Sequence, residues 1–402
     1  MRVIRTILAA VVLATVAGLS AIPWGASSAG GAAALRWRGV AVGREVPDFE
    51  AVAALSSHDV WAVGSNAKLP VAAHWDGRSL TVMEPFPLSG TGSLHGVSAL
   101  APDDVWAVGT LDTGAESSEG VVVHWDGLHW ERVTAPLPSR GTLAGVTALS
   151  DSDVWIDGSY DARVEVTDPA DSGTVARPLL LHWDGHGWTR ADVSALMTPC
   201  PWREDDSGDG QPGWVWECGS SGGAIDATGR DDVWAVTTET SWDLFGYGSK
   251  ALHFNGTSWI APEPAAQYGF GAIAADVDAA AAGEAWTLDD FVDPRASCGS
   301  YRLNHWTQSG RSVRSVDYQT RGAGVIALAA VSRTSGWIVG RRWSNDCNKQ
   351  LGPIVIHWNR GRATRIHTVL DARRGASLTS IDALSPVEIW AAGDHLLARY
   401  SR

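Results

Sequence analysis

The hydrophobic and polar positions of this chain follow one pattern that recurs from about residue 50 to the last residues. Its clearest copy, Val97–Val133, opens with the apolar run Val-Ser-Ala-Leu and continues with Asp-Val-Trp-Ala-Val-Gly. After a variable loop, the copy ends with Val-Val-Val-His-Trp-Asp-Gly and then Trp-Glu-Arg-Val. Short apolar runs bounded by turn residues such as Asp-Gly predict β-strands joined by tight hairpins. The unit therefore predicts four antiparallel strands and no helix.

Seven copies of this unit follow one another, each marked by the tryptophan of its second strand. Those tryptophans are Trp61, Trp106, Trp155, Trp234, Trp286, Trp337 and Trp390. They are 45 to 53 residues apart, except for one interval of 79 residues. Four-stranded repeats of this length are typical of β-propellers. The sequence thus predicts an all-β, seven-bladed propeller over residues 35–402, with an insertion at 191–223 between the third and fourth blades.

The seventh copy stops before its fourth strand. A matching strand stands at the other end of the repeat region, where Leu35–Val40 resembles the His-Trp-Glu-Arg-Val strand of the second copy. An unpaired strand edge invites association with other chains, and pairing the two ends would remove it. We therefore expect the N-terminal strand to complete the last blade and close the ring.

Length variation among the copies falls on one face of the predicted propeller. The turns between the first and second strands, and between the third and fourth, are short and uniform. The loops between the second and third strands range from about eight residues (Ser65–Ala72) to about twenty (Ser159–Pro178). Variable loops on a rigid scaffold commonly carry binding sites. Within the clearest copy, we expect function at Thr110–Gly120 and at the approach Leu94–His95.

Composition and charge restrict the setting of the protein. The net charge of −14 disfavours nucleic acid and anionic membranes as partners. Residues 1–30 combine Arg2 and Arg5 with the apolar run Ile7–Ile22 and small residues after it, as in an export signal cleaved between 25 and 34. A membrane anchor is the alternative for this run. We expect a secreted, extracellular monomer with no membrane insertion after signal removal.

Four cysteines in an exported chain predict disulfide bonds. The repeat register selects one of the three possible pairings. Cys200 and Cys218 both lie in the insertion, whereas Cys298 and Cys347 lie in equivalent loops of adjacent blades five and six. We predict the disulfides Cys200–Cys218 and Cys298–Cys347.

One histidine recurs at the end of the third strand of each of the first six copies. The six are His74, His124, His182, His253, His305 and His357. A catalytic or metal-binding group is needed once, not in every blade. A histidine beside a buried aromatic ring is expected to make a structural hydrogen bond. We therefore predict that these histidines, and the repeated tryptophans, stabilise the scaffold.

Two resemblances follow from the repeated motifs. The Asp-Gly-x-x-Trp corner at Asp76, Asp126 and Asp184 is similar to the structural Asp-box corner of sialidase-like propellers, one residue shorter. From Phe49 onward, the Asp-Val-Trp-Ala-Val-Gly … His-Trp-Asp-Gly-x-x-Trp unit resembles secreted propeller repeat proteins of high-GC actinobacteria, loosely described as kelch-like or galactose-oxidase-like. This resemblance implies the propeller fold and export, but no particular activity. Kelch double-glycine motifs and a copper site of Tyr, His and Cys are absent from the sequence, so it implies no oxidase chemistry.

Aromatic residues outside the repeated positions cluster in the variable loops of blades three to five. They are Trp202, Trp214, Trp216, Trp242, Phe245, Tyr247, Tyr268 and Phe270. Exposed aromatic faces suit stacking on sugars or a hot spot for a protein partner. Packing of these rings into a lid over the insertion is the alternative.

The insertion also contains a weak candidate for a metal site. Asp205, Ser207 and Asp209, followed by Gly210, have the spacing of the first half of a Ca²⁺-binding loop, but the terminal glutamate is missing from its usual place. A solvated acidic loop is the alternative. Calcium is thus a possible ligand, and we predict no other cofactor.

The function that the sequence favours is a non-catalytic binding module for an extracellular or cell-surface glycan or for a protein. We predict no catalytic residues. A carbohydrate hydrolase or lyase with its site at the channel mouth is one alternative, for which Arg140, Arg321 and Arg374 could supply charge. A structural platform for protein interactions is another.

Overall fold

The repeated unit forms a four-stranded antiparallel sheet in each of its seven copies, and the seven sheets are the blades of a β-propeller. The computed structural model describes residues 35–83, 86–114, 117–163, 174–197, 203–205, 213–215, 218–241, 246–262, 267–269, 272–291, 300–308, 310–311, 316–319 and 322–402. The predicted fold class and blade number are confirmed.

The strands run in chain order through the blades, beginning with β1 (Arg36–Val42), which belongs to the last blade. Blade 1 contains β2 (Asp48–Ser56), β3 (Asp59–Asn66), β4 (Leu69–Trp75) and β5 (Leu80–Val82). Blade 2 contains β6 (Gly92–Ala101), β7 (Asp104–Gly114), β8 (Ser117–Trp125) and β9 (Trp130–Val133). Blade 3 contains β10 (Gly141–Ser150), β11 (Asp153–Arg163), β12 (Thr174–Trp183) and β13 (Trp188–Ala191).

Between blades 3 and 4, the insertion carries the hairpin β14 (Arg203–Asp205) and β15 (Gly213–Val215). Blade 4 contains β16 (Cys218–Gly229), β17 (Asp232–Ser241), β18 (Gly246–Phe254) and β19 (Trp259–Ile260), and β20 (Gln267–Gly269) also pairs with β18. Blade 5 contains β21 (Ala272–Ala281), β22 (Glu284–Phe291), β23 (Ser300–Thr307) and β24 (Gly310–Arg311), and β25 (Val316–Gln319) also pairs with β23.

Blade 6 contains β26 (Ala323–Ser332), β27 (Ser335–Trp343), β28 (Gln350–Asn359) and β29 (Arg362–Arg365). Blade 7 contains β30 (Leu378–Ser385), β31 (Glu388–Gly393) and β32 (Leu396–Ser401). Short 3-10 turns at Ser194–Leu196 and Val369–Ala372 connect blades.

The ring closes through the N-terminal strand, as the sequence predicted. Strand β1 pairs antiparallel with β32, from Arg36 opposite Ser401 to Val42 opposite Leu396. Trp37 is only 3% exposed and packs against Trp337 of blade 6 and Tyr400 of blade 7. Both chain ends therefore contribute to one blade.

The prediction of a loop at Ser65–Ala72 is wrong, because most of these residues belong to strands β3 and β4. Strands β3 and β4 pair up to Asn66 opposite Leu69. The turn consists of Ala67 and Lys68 alone, with φ angles of 49° and 69°. Two residues with positive φ make the kind of tight turn that matches the twist of a hairpin. Neither residue is a glycine or asparagine, so the sequence carried no sign of it.

The repeated tryptophans fill the spaces between neighbouring blades. Trp61 of blade 1, for example, is 1% exposed and lies 5.5 Å from Trp125 and 5.7 Å from Trp130 of blade 2, measured between ring centres. Trp390 of blade 7 likewise meets Trp75 of blade 1. Burial of such large apolar rings is a main source of stability, so the core is a circular series of contacts between blades.

Each innermost strand carries a β-bulge near its start. The residues within the seven bulges are Glu50, His95, Ala144, Gly223, Ala275, Ile326 and Thr379. A bulge shifts the alternation of side chains by one residue and redirects a side chain. It thus changes which residues face the central channel beyond that point.

Candidate functional site

The repeated histidines make the structural contacts expected of them. Four of them bind the aspartate that opens the second strand, as in the pair of His74 Nε2 and Asp59 Oδ1 at 2.7 Å. His305 and His357 bind Glu284 and Ser335 at the same position. Each ring also lies 4.0 to 4.6 Å from the tryptophan of its own blade, measured between ring centres. This arrangement is a scaffold contact that recurs in six blades, partly buried in five of them and fully buried at His253.

The Asp-Gly-x-x-Trp corners are also local structure. The Oδ1 atom of Asp76 accepts hydrogen bonds from the backbone amides of Arg78 and Ser79, each at 2.8 Å. Asp126, Asp184 and Asn255 make the same pair of bonds. These bonds stabilise the turn between the third and fourth strands, which is a structural role.

The structure gives only the backbone of some members of the predicted aromatic ligand-binding set, and no side chain. Trp202, Trp216, Trp242, Phe245 and Phe270 lie outside the described residues. The backbone places Trp214 on β15, Tyr247 on β18 and Tyr268 on β20, and the pairing of β18 with β20 puts Tyr247 opposite Gly269. The role of this set remains a prediction.

The structure also describes only part of the candidate metal loop and of the four cysteines. Asp205 ends β14, whereas Ser207 and Asp209 lie outside the described residues. Cys218 opens β16, and Cys347 lies in the turn between β27 and β28.

The remaining two cysteines, Cys200 and Cys298, are outside the described residues. The calcium loop and both disulfide pairings therefore remain predictions.

Residues of blades 2 and 3 and of the connections beside them line an open, polar pocket of about 720 Å³. Its lining residues are Thr91, Asp112, Gly114, Ser117, Ser118, Arg140 and Asp161. Thr91 and Arg140 come from connections between blades, and the other five come from the ends of the second and third strands, so these segments share one face here. Four of them belong to Thr110–Gly120, where the sequence placed function, but the predicted loop is wrong there, because all four lie on the paired strands β7 and β8.

Arg140 gives this pocket a fixed positive charge. Its Nε atom lies 3.3 Å from Asp161 Oδ2, and its backbone has a φ of 60°, which is uncommon for a residue with a side chain. Asp112, exposed on the same pocket, adds a negative charge. Arg140 and Arg374 belong to the connections between blades 2 and 3 and between blades 6 and 7, on opposite sides of the ring, and Arg321 is outside the described residues. The predicted contribution of Arg140 and Arg374 to one charged site at the channel mouth is not supported.

The bulges bring a second polar cluster to the channel mouth. Glu50 of blade 1 accepts a hydrogen bond from Ser93 Oγ at 2.5 Å and is bonded to His95 Nδ1 at 2.5 Å. Burial raises the pKa of Glu50, but the bonds from His95 and Ser93 outweigh it and hold the pKa below its usual value. Glu50 is therefore ionised at neutral pH and orients the His95 ring.

Further down the channel, side chains of the inner strands bind the backbone of the next blade. Asp226 Oδ2 accepts from the Ala279 amide at 2.9 Å, and Asp278 Oδ2 accepts from the Ala330 amide at 3.0 Å. Asp382 accepts from Ala54 across the junction of blades 7 and 1. In blade 2 the same position is Ser98, which accepts from Ala148. The second residue of the Val-Ser-Ala-Leu run thus links adjacent blades, a role that a serine performs without a charge.

The carboxylates in this channel repel one another. Burial raises the pKa of Asp276 to about 7, despite the amide bonds from Leu328 and Val277. Burial and repulsion from Asp226, Asp276 and Asp382 raise the pKa of Asp278 well above its usual value. Asp276 and Asp278 are nevertheless partly exposed to solvent.

Asp157 is the acid that sequence reasoning missed. It stands on β11 at a position that is Val, Leu or Ala in the other six blades, and it is only 1% exposed. Burial is the main cause that raises its pKa to about 7, and repulsion from Asp276 adds to it. The amides of Gly145 and Gly223 lie nearest and lower that pKa, but neither carboxylate oxygen receives a hydrogen bond of normal geometry within the described structure. Its departure from the repeat was visible in the sequence as Trp-Ile-Asp-Gly in place of Trp-Ala-Val-Gly.

Across the part of the chain that the structure describes, no group of three or more His, Cys, Asp or Glu side chains could hold a metal ion. No helix formed by the described residues is long and apolar enough to cross a membrane.

The propeller is similar to solved structures of a propeller called YCF48. One, "YCF48 bound to D1 peptide", has 13% sequence identity and a TM-score of 0.52, and the match covers 91% of this chain and 97% of that chain. Another, "YCF48 from Cyanidioschyzon merolae", has 14% identity and the same TM-score, with coverage of 91% and 99%. At this identity the likeness shows the fold alone. No family model and no curated protein sequence matches the chain.

Proposed function

We propose that the protein is an extracellular, non-catalytic binding module whose variable face holds a segment of a partner polypeptide. The observation that carries this proposal is the polar pocket between blades 2 and 3. It is formed by strand ends and blade connections that differ in length from blade to blade on a repeated scaffold. The extracellular setting rests on the export pattern of residues 1–30.

The chemistry of the pocket fits a peptide better than a sugar. Thr91, Ser117 and Ser118 offer hydroxyl groups that both donate and accept, as the amides and carbonyls of an extended peptide require. Arg140 and Asp112 offer opposite charges for side chains or a chain terminus. None of the seven lining residues is aromatic, so the pocket lacks the ring faces on which sugars stack.

The similar propeller YCF48, solved "bound to D1 peptide", supports this choice, because a propeller of similar fold holds a peptide in that structure. Glycan binding by the aromatic set of the insertion remains the alternative form of the proposal. It depends on rings such as Trp242 and Tyr247, which lie beyond the described side chains.

A displayed library of random peptides, screened beside a glycan array, tests the proposal. We expect peptides to be enriched by the full-length mature chain and the affinity of the best one to fall at least about tenfold in Arg140→Ala, a loss typical of a charged anchor. Arg78→Ala is the matched control, because Arg78 is exposed at a turn between third and fourth strands, away from the variable face.

Peptide affinity that is equal in both variants would show that the pocket is not the site. If glycans bind on the array and no peptide is enriched, the ligand is a glycan and not a peptide. Glycan affinity would then be measured in Trp242→Ala and Tyr247→Ala.

A hydrolase with its site at the channel mouth is the second candidate, and the Glu50–His95 pair favours it. A carboxylate bonded to Nδ1 leaves Nε2 of the ring available as a general base, which is how catalytic histidines are often oriented. Release of reducing ends from polysaccharide, abolished by His95→Ala and retained by Arg140→Ala, would establish this activity.

A further inference from the structure

One blade of this acidic protein carries a concentration of positive charge. The whole chain has a net charge of −14, with 31 Lys and Arg against 45 Asp and Glu. Residues 322–377 form blade 6 and its connection to blade 7, and they hold nine Lys and Arg but only two acids, Asp346 and Asp371. Charges of one sign that lie together repel one another. Packing of the blade does not require this concentration, because the other blades pack without it.

The positive side chains of this region divide between the two faces of the ring. Those on the variable face lie at the end of β27, in the turn between β27 and β28, and in the connection to blade 7. They are Arg341, Arg342, Lys349, Arg373 and Arg374, and with the neighbouring Trp343 we call them the basic patch. Arg360 and Arg362 lie at the turn between the third and fourth strands, on the opposite face.

The two segments that form the basic patch are in contact. Arg342 pairs in register with Gly352, and a Cβ atom placed on Gly352 would lie 2.7 Å from the backbone oxygen of Arg373. Gln350 Nε2 donates a hydrogen bond to the backbone oxygen of Gly375 at 3.1 Å. The end of the β27–β28 hairpin and the connection to blade 7 are therefore neighbours, and their arginines belong to one surface.

The acids of the region leave the basic patch without a counter-charge. Asp371 binds Arg365 at 2.7 Å, and Asp346 accepts a hydrogen bond from Ser344 in its own turn. Within the described structure, none of the five cations of the patch forms an ion pair. The Nε atom of Arg342 is shielded from solvent and has no hydrogen-bond partner there. The guanidinium groups are thus available to an anionic ligand.

The patch also offers groups that suit a sugar. Trp343 is partly exposed, and the guanidinium carbon of Arg341 lies 5.3 Å from the centre of its ring. Asn345 and Asn348 are exposed in the same turn, and their amides can both donate to and accept from hydroxyl groups. An acidic peptide would need only the charges, whereas an acidic sugar also uses an aromatic face and neutral hydrogen-bonding groups.

We propose that the basic patch binds a polysaccharide that carries carboxylate or sulfate groups. Planar guanidinium groups bind such anions through two parallel hydrogen bonds, and Trp343 and the amides contact the rest of the sugar. The acids elsewhere on the chain do not prevent this, because exposed charges more than about 10 Å apart are largely screened at about 0.1 M salt. This site is separate from the pocket between blades 2 and 3 and does not rest on peptide binding.

Surface plasmon resonance with the full-length mature chain tests the proposal. Immobilised polygalacturonate and dextran sulfate are the probes for carboxylate and sulfate groups, and uncharged dextran is the control. We expect binding to at least one charged polymer and none to dextran. The affinity should fall as the NaCl concentration rises, because salt screens the exposed charges.

Variants of blade 6 and its connection to blade 7 locate the ligand. Replacement of both Arg373 and Arg374 by alanine should weaken binding at least about tenfold, because charge-assisted hydrogen bonds are lost. The double variant Arg360→Ala, Arg362→Ala is the matched control, since it removes the same charge from the opposite face. It should change the affinity by less than about twofold. Trp343→Ala should also weaken binding, whereas Trp343→Phe should retain most of it, and thermal unfolding verifies that each variant is folded.

Several outcomes would overturn the proposal. Equal losses in the two arginine double variants would show that binding follows net charge and not the patch. Failure of the wild type to bind either charged polymer would also contradict it. Polyglutamate that binds as tightly as the polysaccharides, with an affinity unchanged in Trp343→Ala, would make the ligand an acidic polypeptide.

Two further variants separate this site from the others. If Trp242→Ala abolishes polysaccharide binding and the Arg373, Arg374 double variant retains it, the ligand lies at the insertion and the patch is not the site. Arg140→Ala should leave polysaccharide affinity unchanged, because Arg140 belongs to the peptide pocket. The peptide screen and the polysaccharide measurement can therefore fail independently.

Discussion

Replacement of Trp37 by alanine tests whether the N-terminal strand holds the ring closed. The Trp37 side chain is 3% exposed, and its ring centre lies 5.8 Å from that of Trp337 and 5.6 Å from that of Tyr400. It thus joins the strand from one chain end to blade 6 and to the strand from the other end. The variant keeps the backbone pairing of β1 with β32 and removes only the ring.

The size of the effect follows from the burial. Truncation of a buried tryptophan to alanine costs about 3–5 kcal/mol, because the transfer energy of the ring is lost and a cavity remains. The free energy of unfolding of a domain is typically about 5–15 kcal/mol, so this is a large part of the total. Arg36→Ala is the matched control, since Arg36 is exposed on the same strand and its loss should change stability by less than about 0.5 kcal/mol.

Urea unfolding followed by tryptophan fluorescence measures both variants, and size-exclusion chromatography reports association. We expect Trp37→Ala to unfold at a clearly lower urea concentration than Arg36→Ala. Deletion of residues 35–42 should go further and leave β32 as a free edge that pairs with other chains. Equal midpoints for Trp37→Ala and Arg36→Ala, with a monomeric deletion variant, would refute the argument that β1 closes the ring.

Three other predictions concern the channel mouth, the scaffold and the cysteines. Because the pKa of Glu50 is held below its usual value of 4.5, its interaction with His95 contributes stability above that pH and loses it as the pH falls through the lowered pKa. The stability difference between wild type and Glu50→Gln should therefore shrink as the pH falls from about 5 through the lowered pKa of Glu50, and a constant difference would contradict this. His124→Ala should lower the free energy of unfolding by about 1–3 kcal/mol without lowering the affinity for peptide. A variant that keeps its stability but loses peptide affinity would show that His124 has a functional role. Non-reducing peptide mapping should find Cys298 linked to Cys347, and either cysteine in another linkage would disprove this predicted pairing.

The blade number and the ring closure were predictable because they depend on residues that recur. A tryptophan in the second strand and a turn of Asp-Gly before the fourth appear often enough to define strands and period. Leu35–Val40 was recognisable because it repeats the fourth strand of another blade. The same reasoning assigned the repeated histidines to the scaffold, where the structure places them.

The candidate sites were less predictable, for physical reasons that differ from place to place. The bulge at His95 shifts the side-chain alternation by one residue, so the strand pattern alone does not show that His95 meets Glu50 of the preceding blade. The turn at Ala67–Lys68 has no glycine or asparagine to announce it. The pocket at Arg140 depends on how loops of separate blades meet, which no local pattern contains.

Asp157 departs from the packing that the equivalent position has in the other six blades. In a ring of seven similar blades, packing sets the same requirement at each equivalent position, and six blades meet this one with an apolar side chain. A single acid there gains nothing from packing, because burial disfavours its charge and Asp276 opposes it. The neighbouring glycines make room for the carboxylate, so both the side chain and the space around it depart from a fully packed core. The raised pKa, about 7, lowers this cost, because a protonated carboxyl group is far less unfavourable in the core than a carboxylate.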